Sequence, residues 1–163
     1  MPAPLQAQLL ATVAPYDRNM SARAGGKIKV LVLVKAGDGD SARTAKQLVE
    51  ALARLPQIGG LPHVETTLAF DSPAKLTAAC REQRPSIVFL TPGLDANLKD
   101  VVAALSALDV LTVASSAAFV GKGIVLGFDV ISGKPKLVVN LVQAKKQNVA
   151  FNASVLKMMK VVE

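Results

Sequence analysis

The sequence predicts an α/β fold with three layers, in which helices cover a mainly parallel sheet that ends in a C-terminal antiparallel hairpin. Short runs rich in Val, Leu and Ile alternate with segments of helical periodicity along the first 116 residues, which is the pattern of repeated β-α units. Phe, Tyr and Trp make up only 4% of the chain, and this favours buried parallel strands over an aromatic-rich barrel. The length of 163 residues fits a single domain over residues 1–163.

The elements of the first two thirds follow from periodicity. Leucines at helical spacing predict an amphipathic helix over residues 4–16. "KIKVLVLVK" predicts the first strand, and Asp40 or Ser41 can cap the helix that follows. Three more strands are expected at "HVETTLAF", "SIVFLT" and "VLTVAS", with helices over 73–82 and 94–108 between them.

The pattern changes after Ser116. "GIVLGFDVI" and "KLVVN" flank the turn "SGKP", which predicts the antiparallel hairpin. Asn140 can cap a short helix, "LVQAKKQ", and Asn152 can cap a final helix, "ASVLKMMKVV". We expect this final helix to belong to the core, with one apolar face made of Val155, Leu156, Met159 and Val162.

The loop after the first strand raises the question of a phosphate site. Gly37, Gly39 and Ala42 fit the spacing G-x-G-x-x-A, which occurs where a helix N-terminus binds phosphate. Asp38 and Asp40 stand in the same loop and would repel an anion, and no P-loop Lys follows. We therefore expect a tight turn that binds no nucleotide.

No combination of residues predicts an enzyme, a cofactor or a metal site. His63 is the only histidine, and we expect it to be solvated in a loop. Cys80 is the only cysteine and is expected to be a small core residue on a helix, so that neither a disulfide within the chain nor a cysteine cluster can form. Asp38 and Asp40 could bind a divalent cation, although two acids in a turn more often cap a helix.

The charge of the chain is uneven. The net charge is +7, and residues 120–163 hold seven lysines against two acids. A solvated lysine face explains this excess, and an anionic partner or membrane surface is the alternative. Nucleic acid is not expected, because no aromatic-rich strand or arginine-rich helix accompanies the charge. No apolar run approaches the roughly 20 residues of a membrane span.

The last third of the chain carries a distinctive pattern. Its positions are Val110 to Ser115, Phe119, Gly121, Gly123, Phe128, Asn140, Ala144, Leu156 and Val161 to Val162. The pattern resembles the closing segment of the YfiR family of periplasmic proteins, and "LLATVAPYDRN" is similar to the first helix of that family. Three features depart from it: Ser115 and Ser116 replace a usual Asp, Asn148 replaces a usual Gly, and paired cysteines are missing. Redox gating by disulfides is therefore not expected.

The resemblance implies an exported α/β domain without catalytic activity. In the namesake system such a protein represses a membrane-bound diguanylate cyclase by contacting its periplasmic domain, and an outer-membrane lipoprotein relieves the repression. We therefore expect a periplasmic regulator whose partner is a membrane-bound signalling protein, such as a diguanylate cyclase or a sensor kinase, and a homodimer is a further expectation. "MPAPLQAQLL" shows no signal peptide, and a chain that starts at a mature N-terminus would look the same.

The alternative is a module that binds a small ligand. In open parallel sheets ligands settle beyond the carboxyl ends of the strands, where the strand order reverses. The predicted ligand- or partner-binding residues at those ends are Asp38, Asp40, Ser41, Thr91, Ser115, Ser116, Phe119, Gly121 and Gly123. Two interpretations of Phe119 stay open: it contacts a partner, or it folds back as a plug over the end of the sheet.

Overall fold

A computed structural model describes residues 1–162 and consists of one seven-stranded sheet with helices on both faces. The strands are Ile28–Lys35 (β1), His63–Phe70 (β2), Ile87–Leu90 (β3), Leu111–Ala114 (β4), Leu126–Ile131 (β5), Lys134–Asn140 (β6) and Met159–Val162 (β7). The α-helices are Ala3–Val13 (α1), Met20–Ala24 (α2), Gly39–Ala53 (α3), Pro73–Gln83 (α4), Leu98–Leu105 (α5), Leu141–Lys146 (α6) and Ala153–Leu156 (α7). Three 3₁₀ helices cover Ala14–Tyr16, Asp95–Asn97 and Ala117–Lys122.

The sheet confirms the predicted fold class. Its strand order is β2-β1-β3-β4-β5-β6-β7, and β1 to β5 run parallel to one another. β5 and β6 form the antiparallel hairpin, with Leu126 opposite Val139, and β7 runs parallel to β6. The chain moves outward from β1 to β2 and then crosses to β3 on the other side, so the strand order reverses between β1 and β3.

Two apolar cores lie on opposite faces of the sheet, which gives the three layers. β1 serves both, because Val30 and Val32 point into one core and Leu31 and Leu33 into the other. The first core contains side chains of α1, α3, α6 and α7, whereas the second contains side chains of α4 and α5. None of the helices in residues 1–162 is both long enough and apolar enough to cross a bilayer.

The prediction of a long final helix is wrong. α7 makes a single turn after its Asn152 cap, and the chain then extends as β7 alongside β6. Val155 and Met159 are buried as expected for a core segment, but Met159 lies in a strand opposite Leu137 and so shares no helical face with Val155. β-branched Val161 and Val162 pack well on a pleated surface, and the free edge of β6 supplies the backbone partners.

The other boundaries differ less. The helix predicted over residues 4–16 is α-helical to Val13 and continues as a 3₁₀ turn, because Pro15 has no N–H to donate to an α-helical bond. The periodicity of the sequence does not predict the five-residue α2, which ends at Ala24 and is followed by Gly25 with a left-handed φ of 63°. The helix predicted over residues 94–108 begins with a 3₁₀ turn and ends at Leu105.

A buried ion pair lies in the segment after α1, and its carboxylate also binds the backbone before α7. Asp17 Oδ2 lies 2.7 Å from a terminal nitrogen of Arg23, and both side chains are almost completely buried. Asp17 Oδ1 accepts hydrogen bonds from the backbone N–H of Asn19 and of Ala150, each at 3.0 Å. Arg23 also donates to Asp109 at 2.9 Å. The segment after α1 is thereby fixed to the segment before α7.

Candidate functional site

The reversal of strand order brings two predicted site residues together. Ser41 at the start of α3 and Thr91 at the end of β3 are both fully buried, and their hydroxyl oxygens lie 2.6 Å apart. Thr91 donates to the carbonyl oxygen of Leu33 at 2.8 Å, and Ser41 accepts from the backbone N–H of Lys35 at 2.8 Å. These hydroxyls therefore link the two strand ends, and since Thr91 donates to Leu33 and Ser41 to Thr91, neither has a proton left to donate to a ligand.

The two aspartates of the glycine loop have different roles. Asp38, and not Asp40 or Ser41, caps α3, because its Oδ1 accepts from the backbone N–H of Ser41 at 2.9 Å. A Cβ atom added at Gly93 would lie only 2.5 Å from Asp38 Oδ2, so the carboxylate packs directly on the loop after β3. Asp40 points to solvent and pairs with Arg43 at 2.7 Å. Residues 1–162 contain no group of three or more His, Cys, Asp or Glu that could hold a metal ion.

The loop after β4 folds back over the sheet. Phe119 is only 3% exposed and belongs to the core that contains α4 and α5, as the plug interpretation expects. Gly123 has a φ of 109°, and a Cβ atom there would lie 2.7 Å from Val102 Cγ1 on α5. Ser116 caps the 3₁₀ helix by accepting from the N–H of Ala118 at 3.3 Å. Phe119 is thus out of reach of a partner in this conformation.

The same loop is fixed to the last strands. The side-chain amide of Asn140 donates to the carbonyl oxygen of Val120 at 2.9 Å, and a Cβ atom on Gly121 would lie 3.8 Å from Val162 Cγ1. Ser115 lies at the carboxyl end of β4, and its buried hydroxyl has no hydrogen-bond partner in the described part of the chain. The structure therefore divides the predicted residues between the β1–β3 junction and the loop that reaches β6 and β7.

Three exposed apolar side chains lie near the end of β6 and β7, and we call them the C-terminal patch: Leu141, Val142 and Val161. Each is within two residues of Asn140 or Val162, which pair in register. Val142 is 60% exposed and shares the outer side of α6 with Lys145 and Lys146. The sequence predicts a short helix for Leu141 and Val142 but not their exposure, because that depends on which side of α6 the rest of the fold covers.

The side chains of His63 and Cys80 are both buried and contact other groups of the protein. His63 is the first residue of β2 and is buried, which corrects the expectation of a solvated loop residue. Its Nδ1 lies 2.5 Å from Glu65 Oε2, and its Nε2 lies 2.7 Å from the carbonyl oxygen of Leu55. Cys80 is buried on α4 as expected, and burial raises the pKa of its thiol to about 11. So little thiolate is present near neutral pH that Cys80 is a poor nucleophile.

Two cavities lie away from all the predicted site residues. One, of about 410 Å³, opens at the amino ends of β3 and β4 and is lined by residues that include Arg81, Arg84 and Val110. The other, of about 310 Å³, lies between α1, β6 and α7 and is lined mainly by apolar side chains that include Tyr16 and Met158. Sequence reasoning could not find them, because segments distant in the chain form their walls.

Comparison with known proteins gives a family and a fold. A family model described as YfiR/HmsC-like matches residues 50–160. The comparison with curated proteins finds no significant match. Among solved structures, the ABC domain from Streptococcus pneumonia in complex with L-Trp superposes with a TM-score of 0.71 at 15% identity, covering 99% of this chain and 60% of that one.

Two further solved structures share this fold. A conserved domain protein from Vibrio cholerae has a TM-score of 0.68 at 14% identity, over 99% of this chain and 60% of that one. CD0873, a substrate binding protein with adhesive properties from Clostridium difficile, in its ligand-free, open form, has a TM-score of 0.61 at 13% identity, over 96% and 58%. This chain spans about 60% of the length of these structures, and the similarity establishes the fold alone.

Proposed function

The chain belongs to the YfiR/HmsC-like family, and on that premise we propose that it is a non-enzymatic regulator that binds a membrane-bound signalling protein in the periplasm. The family match is the observation that carries this proposal. It runs from residue 50 in α3 to residue 160 in β7 and so includes most of the sheet. The family is one of periplasmic regulatory proteins, and a diguanylate cyclase or a sensor kinase is the partner class that follows from it.

The C-terminal patch supports a contact function. Leu141, Val142 and Val161 are 39%, 60% and 45% exposed, and exposed apolar patches are typical of surfaces that bind other proteins. Lys145 and Lys146 lie beside Val142 on α6, and Lys122 is exposed on the loop that touches Val162. We propose that this patch, with its basic rim, meets an acidic surface on the periplasmic domain of the partner.

Matched valine variants test this proposal. The gene is deleted in its own host and restored as wild type, as Val142→Asp or as Val130→Asp. Val142 is 60% exposed and Val130, at the far end of the β5–β6 hairpin, is 52% exposed, so both changes place one charge on the surface. Cellular cyclic di-GMP and binding to the purified periplasmic domain of the candidate cyclase are measured.

We expect wild type and Val130→Asp to bind the partner domain and to lower cyclic di-GMP, whereas Val142→Asp does neither although its melting temperature is unchanged. Equal binding by the two variants would refute the patch as the contact surface. If deletion of the gene does not change the cyclic di-GMP level, the cyclase is refuted as the partner. The second partner class, a sensor kinase, is then tested by measuring the phosphorylation state of a neighbouring kinase.

A further inference from the structure

The cavity at the amino ends of β3 and β4 has the size and the walls of a ligand site. Its volume of about 410 Å³ lies within the range of small-molecule sites, roughly 300–1,000 Å³. Pro85, Leu108 and Val110 form an apolar floor, and α2 and the last turn of α4 form the sides. The cavity is on the opposite edge of the sheet from the carboxyl ends at which the sequence predicts a cleft.

The charges at this cavity are unequal. Three arginines and one aspartate line it. Arg23 is neutralised, because its guanidinium contacts Asp17 at 2.7 Å and Asp109 at 2.9 Å. Arg81 and Arg84 are exposed, and within residues 1–162 neither has a carboxylate within 4.0 Å. Two guanidinium groups without a counterion therefore stand at the mouth of an apolar cavity.

The backbone at Arg84 adds a separate observation. Arg84 follows the last residue of α4 and adopts the left-handed conformation, with φ 48° and ψ 60°. Glycine is the usual residue at this position, because a Cβ atom makes the conformation unfavourable. An arginine here thus accepts local strain, and residues held in such conformations cluster at binding sites.

From these three observations we propose that the cavity binds a small organic anion with an apolar body. The planar guanidinium groups of Arg81 and Arg84 match the two oxygens of a carboxylate, with which they form paired, charge-assisted hydrogen bonds. The apolar body of the ligand then covers Pro85, Leu108 and Val110. This site is independent of the C-terminal patch, which lies on β6, β7 and α6.

Three probes and four proteins test the proposal by calorimetric titration. The probes are benzoate, its neutral isostere benzamide, and inorganic phosphate. The proteins are wild type, Arg84→Gly, Arg81→Gln and Arg54→Gln. Arg54 serves as the control because it is an exposed arginine directly after α3, in the right-handed conformation, and lines neither cavity. Arg84→Gly relieves the left-handed strain, so its melting temperature should not fall, and loss of binding cannot be attributed to unfolding.

We expect benzoate to bind wild type and Arg54→Gln at least about tenfold more tightly than benzamide does, and Arg84→Gly and Arg81→Gln each to weaken benzoate about tenfold. Benzoate should also slow alkylation of Cys80, which lines the cavity, in wild type but not in Arg84→Gly. Equal affinity for benzoate and benzamide, or an unchanged affinity in Arg84→Gly, would overturn the proposal. Phosphate binding as tightly as benzoate would refute the apolar part of the site.

Discussion

Removal of Asp17 should destabilise the protein more than almost any other single change of a charged residue. In Asp17→Ala, Arg23 stays buried with only Asp109 as a counterion, and the N–H groups of Asn19 and Ala150 lose their acceptor. Removal of one partner of a buried pair costs about 3–5 kcal/mol. This is a large share of the 5–15 kcal/mol by which a typical domain is stable. At about 2–4 °C per kcal/mol for a chain of this size, the melting temperature should fall by about 6–20 °C.

The matched control is Asp40→Ala. Asp40 and Arg43 also lie 2.7 Å apart, but their side chains are 77% and 65% exposed, so water screens the pair. Asp40 also interacts weakly with the dipole of α3, because it lies in the first turn. The two contributions together predict that Asp40→Ala lowers the free energy of unfolding by about 1 kcal/mol or less. Urea denaturation followed by circular dichroism gives both values. Equal losses in the two variants would show that the buried Asp17 carboxylate, with its bonds to Arg23 and Ala150, stabilises the fold no more than a surface pair does.

Two further substitutions and one pH titration test the packing around buried residues. Phe119→Ala should lower the free energy of unfolding by about 3–5 kcal/mol in urea denaturation, and an unchanged stability would contradict the plug interpretation. The alkylation rate of Cys80 with iodoacetamide should reach half its maximum near pH 11 and not near 9.0, because burial raises the pKa of the thiol. Gly123→Ala should lower the free energy of unfolding by about 1–3 kcal/mol more than Gly133→Ala does. Both glycines have positive φ, but only at Gly123 would a Cβ atom lie against Val102. If adding Val102→Ala to Gly123→Ala does not recover this difference, the clash is refuted.

The strands and helices of the parallel half were predictable because their signal is local. A strand buried on both faces is apolar throughout, and a helix against a sheet repeats its apolar residues every three or four positions. The predicted strand "SIVFLT" contains β3, whose four residues are all buried. Asn140 and Asn152 cap their helices as expected, because such a cap bonds to a backbone N–H only three residues away.

The C-terminal strand could not be predicted by the same reasoning. A short apolar run such as "MMKVV" is compatible with a helix or a strand, and periodicity alone does not separate them. The outcome depends on the edge of β6, which is more than 15 residues away in the chain and offers unpaired backbone groups. A long-range hydrogen-bond ladder therefore decides the conformation of Met159–Val162.

The candidate site, too, has features that follow from the sequence and features that depend on the tertiary structure. The sequence alone places Ser41 and Thr91 at the carboxyl ends of parallel strands, and therefore at one edge of the sheet. Only the tertiary structure decides that their hydroxyls bond to each other, that Phe119 turns inward, and that a cavity with unpaired arginines opens at the opposite edge. Whether a polar group finds a hydrogen-bond partner, or an apolar side chain is buried, depends on neighbours that the fold brings from distant segments. The order of strands and helices, in contrast, is determined by local periodicity.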